Sequence, residues 1–174
     1  MKYFVKFFVV TFFLLVCTHT FAEQKIVVLD MKFVLNNSKA GKEAQDYLKK
    51  TFNNNAKKFE DMEKKLKKEE NDLLGKRSDL TKEEFQKKSD DLRKKVIDYQ
   101  SKRRSSLDKI AEQRATARQK LLDSIKPILD SYIVENDISL VIDKKNMLGG
   151  STKNDITKQI VEKLNKELPS INLK

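Results

Sequence analysis

Residues 51–85 read TFNNNAKKFE DMEKKLKKEE NDLLGKRSDL TKEEF, and the architecture follows from their spacing. Phe52, Phe59, Leu66, Leu73 and Leu80 fall at intervals of seven. So narrow a stripe is a coiled-coil seam rather than the broad apolar face of a globular helix. Gly75-Lys76-Arg77-Ser78-Asp79 interrupts the run, and Thr81-Lys82-Glu83-Glu84 restarts it as a capping box. There the threonine hydroxyl takes the third amide and Glu84 reaches back to the threonine amide. The chain is therefore expected to run out along one helix, turn at a tip and come back along another.

The outgoing helix is expected to begin at Ala40 and run to about Leu74, with Leu48, Ala56 and Met62 joining its stripe. The returning helix carries Phe85, Leu92, Val96, Tyr99, Leu107, Ile110, Ala117, Leu121 and Ile125 at less regular spacing. Arg103 and Arg114 stand where that stripe calls for apolar residues. A drifting seam implies local unwinding or helices that splay apart. Tyr99, Leu107 and Ile110 are on this ground the candidates for exposed, adjustable apolar contact with a partner. Pro127 marks a kink or a restart, since its ring cannot accept the helix bond, and residues 128–134 carry the helix into the base.

The arm is densely charged. Most of that charge reads as a solvated face laced by pairs four apart, such as Glu60–Lys64 and Glu63–Lys67. Residues 41–125 nevertheless hold 24 Lys and Arg against 17 Asp and Glu. A surplus of that kind along a rod makes an extended positive field that attracts anionic partners. Arg103 and Arg104 are the basic candidates.

Two short apolar runs bracket the arm. Lys25-Ile26-Val27-Val28-Leu29-Asp30 and Ile138-Ser139-Leu140-Val141-Ile142-Asp143 read as buried strands, with Met147-Leu148 as a third, very short one. Between the first strand and the arm, Asn36, Asn37 and Ser38 offer helix caps, and Asp155 is expected to cap a final amphipathic helix stopped by Pro169. So few strands do not make a stable sheet alone. Ile26, Val27, Val28, Leu29, Leu140, Val141 and Ile142 are therefore assigned to an oligomerisation body completed by other copies of the chain. Asp30 and Asp143 could pair as acid and base, but as residues ending apolar strands they read as caps. Gly149-Gly150-Ser151-Thr152 lacks the spaced glycines and lysine of a phosphate loop and reads as a turn.

The first 22 residues differ in kind. Lys2 and Lys6 precede an apolar stretch from Phe7 to Cys17, and Thr20-Phe21-Ala22 supplies a small residue at the exit. These are the parts of a secretory signal peptide, cleaved after Ala22, and the apolar core is short of the roughly 20 residues that span a bilayer. Cys17 is the only cysteine and His19 the only histidine, so the mature chain has neither. Disulfides, cysteine nucleophiles, histidine bases and Cys/His zinc sites are excluded together. No enzyme activity and no cofactor are expected. The net charge is +11, and losing Lys2 and Lys6 leaves +9.

The expected fold is α+β and mostly α: a long antiparallel helical-hairpin arm on a small β body shared between subunits. The expected organisation is a signal peptide at 1–22, a body at 23–39 and 134–174, and an arm at 40–133. These residues in this order resemble the Skp/OmpH family of periplasmic chaperones. The resemblance is carried by Lys25-Ile26-Val27-Val28-Leu29-Asp30 with Met31, by Asp137 to Asp143, and by Asp155-Ile156-Thr157 leading into Ile160-Val161-Glu162-Lys163-Leu164-Asn165. It implies a homotrimer whose three arms enclose a cavity. It implies an ATP-independent holdase that binds unfolded outer-membrane β-barrel proteins and prevents their aggregation on the way to the outer membrane. It also implies, as in some members, contact between basic arm residues and lipopolysaccharide or an anionic membrane surface. Two rival readings differ in class. An envelope coiled-coil tether requires Cys17 to be lipidated after Leu14-Leu15-Val16, and a basic nucleic-acid-binding protein is at odds with the signal peptide.

Overall fold

The structure, a computed structural model, describes residues 24–173, so the expected leader, with Cys17 and His19, lies outside the described residues. The β-branched run forms β1 (Lys25–Leu29), and Asp30 ends it by capping α1 (Met31–Asn37). The Phe33 amide donates to Asp30 Oδ1 at 2.8 Å. Ser38, fully buried, caps the next helix through a hydrogen bond from the Gly41 amide at 3.2 Å. That helix, α2 (Lys39–Gly75), is about 55 Å long at 1.5 Å per residue. A 3₁₀ turn (Arg77–Asp79) and the Thr81–Glu84 capping box, both of whose bonds are present, lead into α3 (Lys82–Glu135), about 80 Å long. Asp137 then adopts a left-handed φ of 51°, which a short polar side chain tolerates. The chain reverses there into β2 (Ile138–Asp143), and α4 (Thr157–Glu167) closes the body.

β1 and β2 pair in parallel, with Ile26 beside Leu140 and Val28 beside Ile142. Val27 and Leu29 on one face join a core with Val34, Ile125, Ile160 and Leu164, which are buried almost completely. The opposite face carries Ile26 and Leu140, 40% and 51% exposed. The start of α4 is pinned to the end of β1. The Ile156 amide donates to the Val28 carbonyl at 2.9 Å, and the Asp30 amide donates to Thr157 Oγ1 at 2.9 Å.

α3 is longer than α2 because its last turns run on beside the body. Ala117, Leu121, Ile125 and Ile128 form one buried stripe there. This explains Pro127. The helix passes through it, so of the two expectations, a kink or a restart, the restart is corrected. Ile125 and Ile128 on either side are locked into the core, and their burial offsets the roughly 3 kcal/mol that an interior proline costs.

Two further expectations need correcting. Met147-Leu148 is no strand: a 3₁₀ turn (Lys144–Asn146) precedes it, and the Leu148 side chain stands in solvent. Asp155 sits one residue before the cap of α4 rather than at it, although its Oδ1 still accepts from the Thr157 amide at 2.9 Å. Burial alone would raise the Asp155 pKa. Thr157 and the Lys144 ammonium 3.0 Å away outweigh it and hold the carboxyl below its ordinary value.

Replacing Gly41 by Ala should lower the urea midpoint by an amount worth about 1–3 kcal/mol, because a Cβ there would stand 2.0 Å from the Leu35 carbonyl oxygen. Gly75→Ala, whose Cβ meets nothing within 4 Å, should leave the midpoint unchanged or raise it. The stabilisation from Asp155 should be complete above its ordinary pKa of 3.8 and disappear as pH falls through the lower folded-state value. Urea titrations across that window should therefore show the gap between wild type and Asp155→Asn closing on the acid side.

Candidate functional site

The helix pair is the only large surface that neither the core nor the sheet accounts for among the described residues, and it is built in layers. Contacts rise along α2 as they fall along α3: Asn55 meets Ser106, Glu63 meets Tyr99, and Glu69 meets Lys95. At the root, Ala40 and Ala44 on α2 and Ala117 on α3 are small enough to let the helices approach closely. The next layer mixes hydroxyls and amides with apolar side chains such as Tyr47 and Met62. Asn55 Nδ2 donates to Ser106 Oγ at 2.8 Å, and Thr51, Ser101 and Ser105 line the same cleft of about 670 Å³.

Above it sits an aromatic pair, Phe59 edge-on to Tyr99 with centroids 6.0 Å apart. The Tyr99 hydroxyl donates to Glu63 Oε2 at 3.2 Å. Desolvation first, and then the neighbouring Glu63 carboxylate, push the Tyr99 phenol above its ordinary pKa. Toward the tip, Leu66, Leu73, Phe85, Leu92 and Val96 are only half-buried and line a groove of about 700 Å³. The Arg77 guanidinium covers the Phe85 ring at 3.9 Å. The arm thus alternates closed and open layers instead of zipping shut along its length.

The sequence-derived candidates divide between these layers. Leu107 is exposed, as the defective return seam implies, and so are Arg103 and Arg104. Tyr99 and Ile110 are not: Tyr99 is turned onto Phe59 and Ile110 belongs to the core cluster. Their exposure is corrected accordingly. On the outgoing helix, Phe52 leaves the seam and stands 49% exposed. A straight helix drifts about 20° per heptad, so a strict series of sevens cannot hold one face from Phe52 to Leu73. Phe52 instead lines a groove of about 950 Å³ at the junction with α1, rimmed by Lys49, Arg114 and Arg118.

Sequence reading missed one feature it had the means to find. The basic surplus is not spread along the arm. Residues 59–100, the tip half, hold 12 basic and 12 acidic side chains, whereas residues 42–58 and 101–125, the root half, hold 12 basic against 5 acidic. Counting the facing stretches of the two helices together, rather than along the chain, reveals it. Asp30 and Asp143 both cap local turns, and no acid–base pair arises from them. Among the described residues no group of three or more His, Cys, Asp or Glu could hold a metal ion, and no helix is long and apolar enough to cross a membrane.

A family model described as outer membrane protein (OmpH-like) matches residues 25–164. Among solved structures, a candidate outer membrane chaperone (OmpH-like) from Caulobacter crescentus is similar with a TM-score of 0.80 and 15% identity. That match covers 89% of this chain and 92% of the other, a likeness of fold. No curated protein sequence matches significantly.

Phe59→Ala should loosen the middle of the arm by about 3 kcal/mol without unfolding the body. Amide exchange should accelerate near residues 55–65 and 96–106 while the Val27 and Leu29 amides keep their protection.

Proposed function

This chain belongs to the OmpH-like outer membrane protein family, a non-enzymatic family, and from that premise we propose that it is an ATP-independent periplasmic holdase. In this reading three chains form the working unit. Residues 1–22 are a cleaved leader, the body spans 23–39 and 134–174, and residues 40–133 form an antiparallel hairpin arm. The clients are unfolded outer-membrane β-barrel proteins, held between the arms until they reach the outer membrane.

The observation that carries the proposal is the alternation of closed and open layers along a charged helix pair. An unfolded client needs many weak contacts, because one tight site would block release. Half-buried apolar residues near the tip, exposed Phe52 and Leu107, and the basic root half supply such contacts. Repetition over three arms multiplies them by effective concentration. Association between copies is supported by the outer face of the sheet, where Ile26 and Leu140 are apolar and exposed although the inner face is already covered by helices.

One molar equivalent of trimer should suppress light scattering when a urea-unfolded outer-membrane β-barrel protein is diluted into buffer. Scattering as high as without the chain would reject the holdase reading. Protection should weaken with salt, since the screening length falls from about 8 Å at physiological strength to about 3 Å at 1 M. Sedimentation should return a trimer, and Ile26→Asp with Leu140→Asp should shift it to monomer. A wild-type monomer would reject the shared body.

A further inference from the structure

The family match ends at Leu164, but the chain continues beyond it and lies across the root of the arm. Pro169 stops α4, and the segment after it packs with the period of an extended strand. Ile171 and Leu173 are 8% and 7% exposed and join the core cluster, while Asn172 between them faces outward. Hydrogen bonds between arm side chains and backbone groups of the tail hold it. The Ile171 amide donates to Glu43 Oε2 on α2 at 3.3 Å. On α3, Gln113 Nε2 donates to the Leu173 carbonyl at 2.6 Å and Lys120 Nζ donates to the Asn172 carbonyl at 3.2 Å. Side chains that grip peptide groups, with two apolar seats at alternate residues, read an extended chain and hardly read its sequence.

The seat is also incomplete. Gln113 Oε1 is buried and has no hydrogen-bond partner, an acceptor the tail leaves unmet. Its orientation is fixed by the bond its own Nε2 makes to Leu173. Gln113 in turn lines the cleft of the arm with Thr51, Asn55, Ser105 and Ser106. The seat of the tail and the cleft are therefore continuous through one residue. Hydroxyls and amides in the cleft can take the peptide groups of a chain longer than the tail.

We propose that the root of the arm is a binding subsite for extended polypeptide with apolar residues at every second position. Ile171-Asn172-Leu173 occupies it when no client is bound. An incoming segment displaces the tail, satisfies Gln113 Oε1 with a backbone amide and runs on into the cleft. Strands destined for a membrane β-barrel alternate with this period, so the inference rests on the holdase reading and gives it a recognition rule. The tail is a weak competitor by design. Its tether holds it near the seat at millimolar effective concentration, which a client gripped by several arms can exceed.

The test uses a fluorescein-labelled peptide, PSINLK, added to the full chain and to the variant Ile171→Asn with Leu173→Asn, which frees the tail and leaves the seat intact. Anisotropy should show binding to the variant about tenfold tighter or more than to wild type. The peptide PSNILK, with its apolar residues adjacent, should bind at least about tenfold less well, and Gln113→Ala in the variant should abolish the difference. Equal affinity for both proteins, or for both peptides, overturns the proposal. If the variant does not fold by circular dichroism, excess PSINLK must accelerate exchange of the Ile171 amide in wild type, and unchanged exchange overturns it. These measurements need no barrel protein, so a chain that fails to suppress aggregation rejects the holdase reading separately.

Discussion

Everything in this molecule depends on one parallel pairing. β1 and β2 lie side by side in the same direction, and a parallel pair cannot be joined by a tight turn. The chain must leave at the end of β1 and re-enter at the start of β2. Here that obligatory crossover has been drawn out into two long helices. The unequal lengths of α2 and α3 follow: the return helix has to come back past the point where the outgoing one left, and its last turns become the spine of the body. Ala117, Leu121, Ile125 and Ile128 are at once the root of the arm and the wall of the core. Whatever moves the arm therefore pulls on the sheet.

The parts legible in the sequence were those set by short-range chemistry. The Thr81–Glu84 box, the break after Gly75, both strands and the caps at Asp30 and Ser38 all depend on neighbours within a few residues. What failed depended on distant packing. Pro127 should break a helix by its own chemistry, but the core on either side overrides it. Met147-Leu148 is apolar enough for a strand but has no partner. Phe52 and Leu73 keep the same heptad position, yet the drift of a straight helix carries Phe52 into solvent.

The candidate surface was legible in kind and misplaced in detail. An irregular return seam does leave the arm incompletely closed, but Tyr99 closes locally because Phe59 and Glu63 supply an aromatic edge and an acceptor on the facing helix. No spacing rule within α3 contains that information. The tail was less legible still. Its Ile-Asn-Leu pattern is too short to mark as a strand, and its partners Glu43, Gln113 and Lys120 are side chains of ordinary surface type. The separation of charge is different in origin. The tip half balances its signs, which favours helix pairing through bonds such as Glu69–Lys95, and the root half does not. A net positive field therefore reaches outward from the root half.

The parallel pairing also has a consequence in time. Ile138 is made more than a hundred residues after Leu29, so at ordinary synthesis rates β1 waits on the order of 10 s for the strand it pairs with. Throughout that interval an apolar, β-branched segment has an open edge, the kind of stretch on which aggregation starts. The chain that follows it is among the least sticky a ribosome can make: helical, charged and able to fold locally from the Thr81 cap. The segment between the two strands therefore offers that edge little β-forming sequence to mispair with.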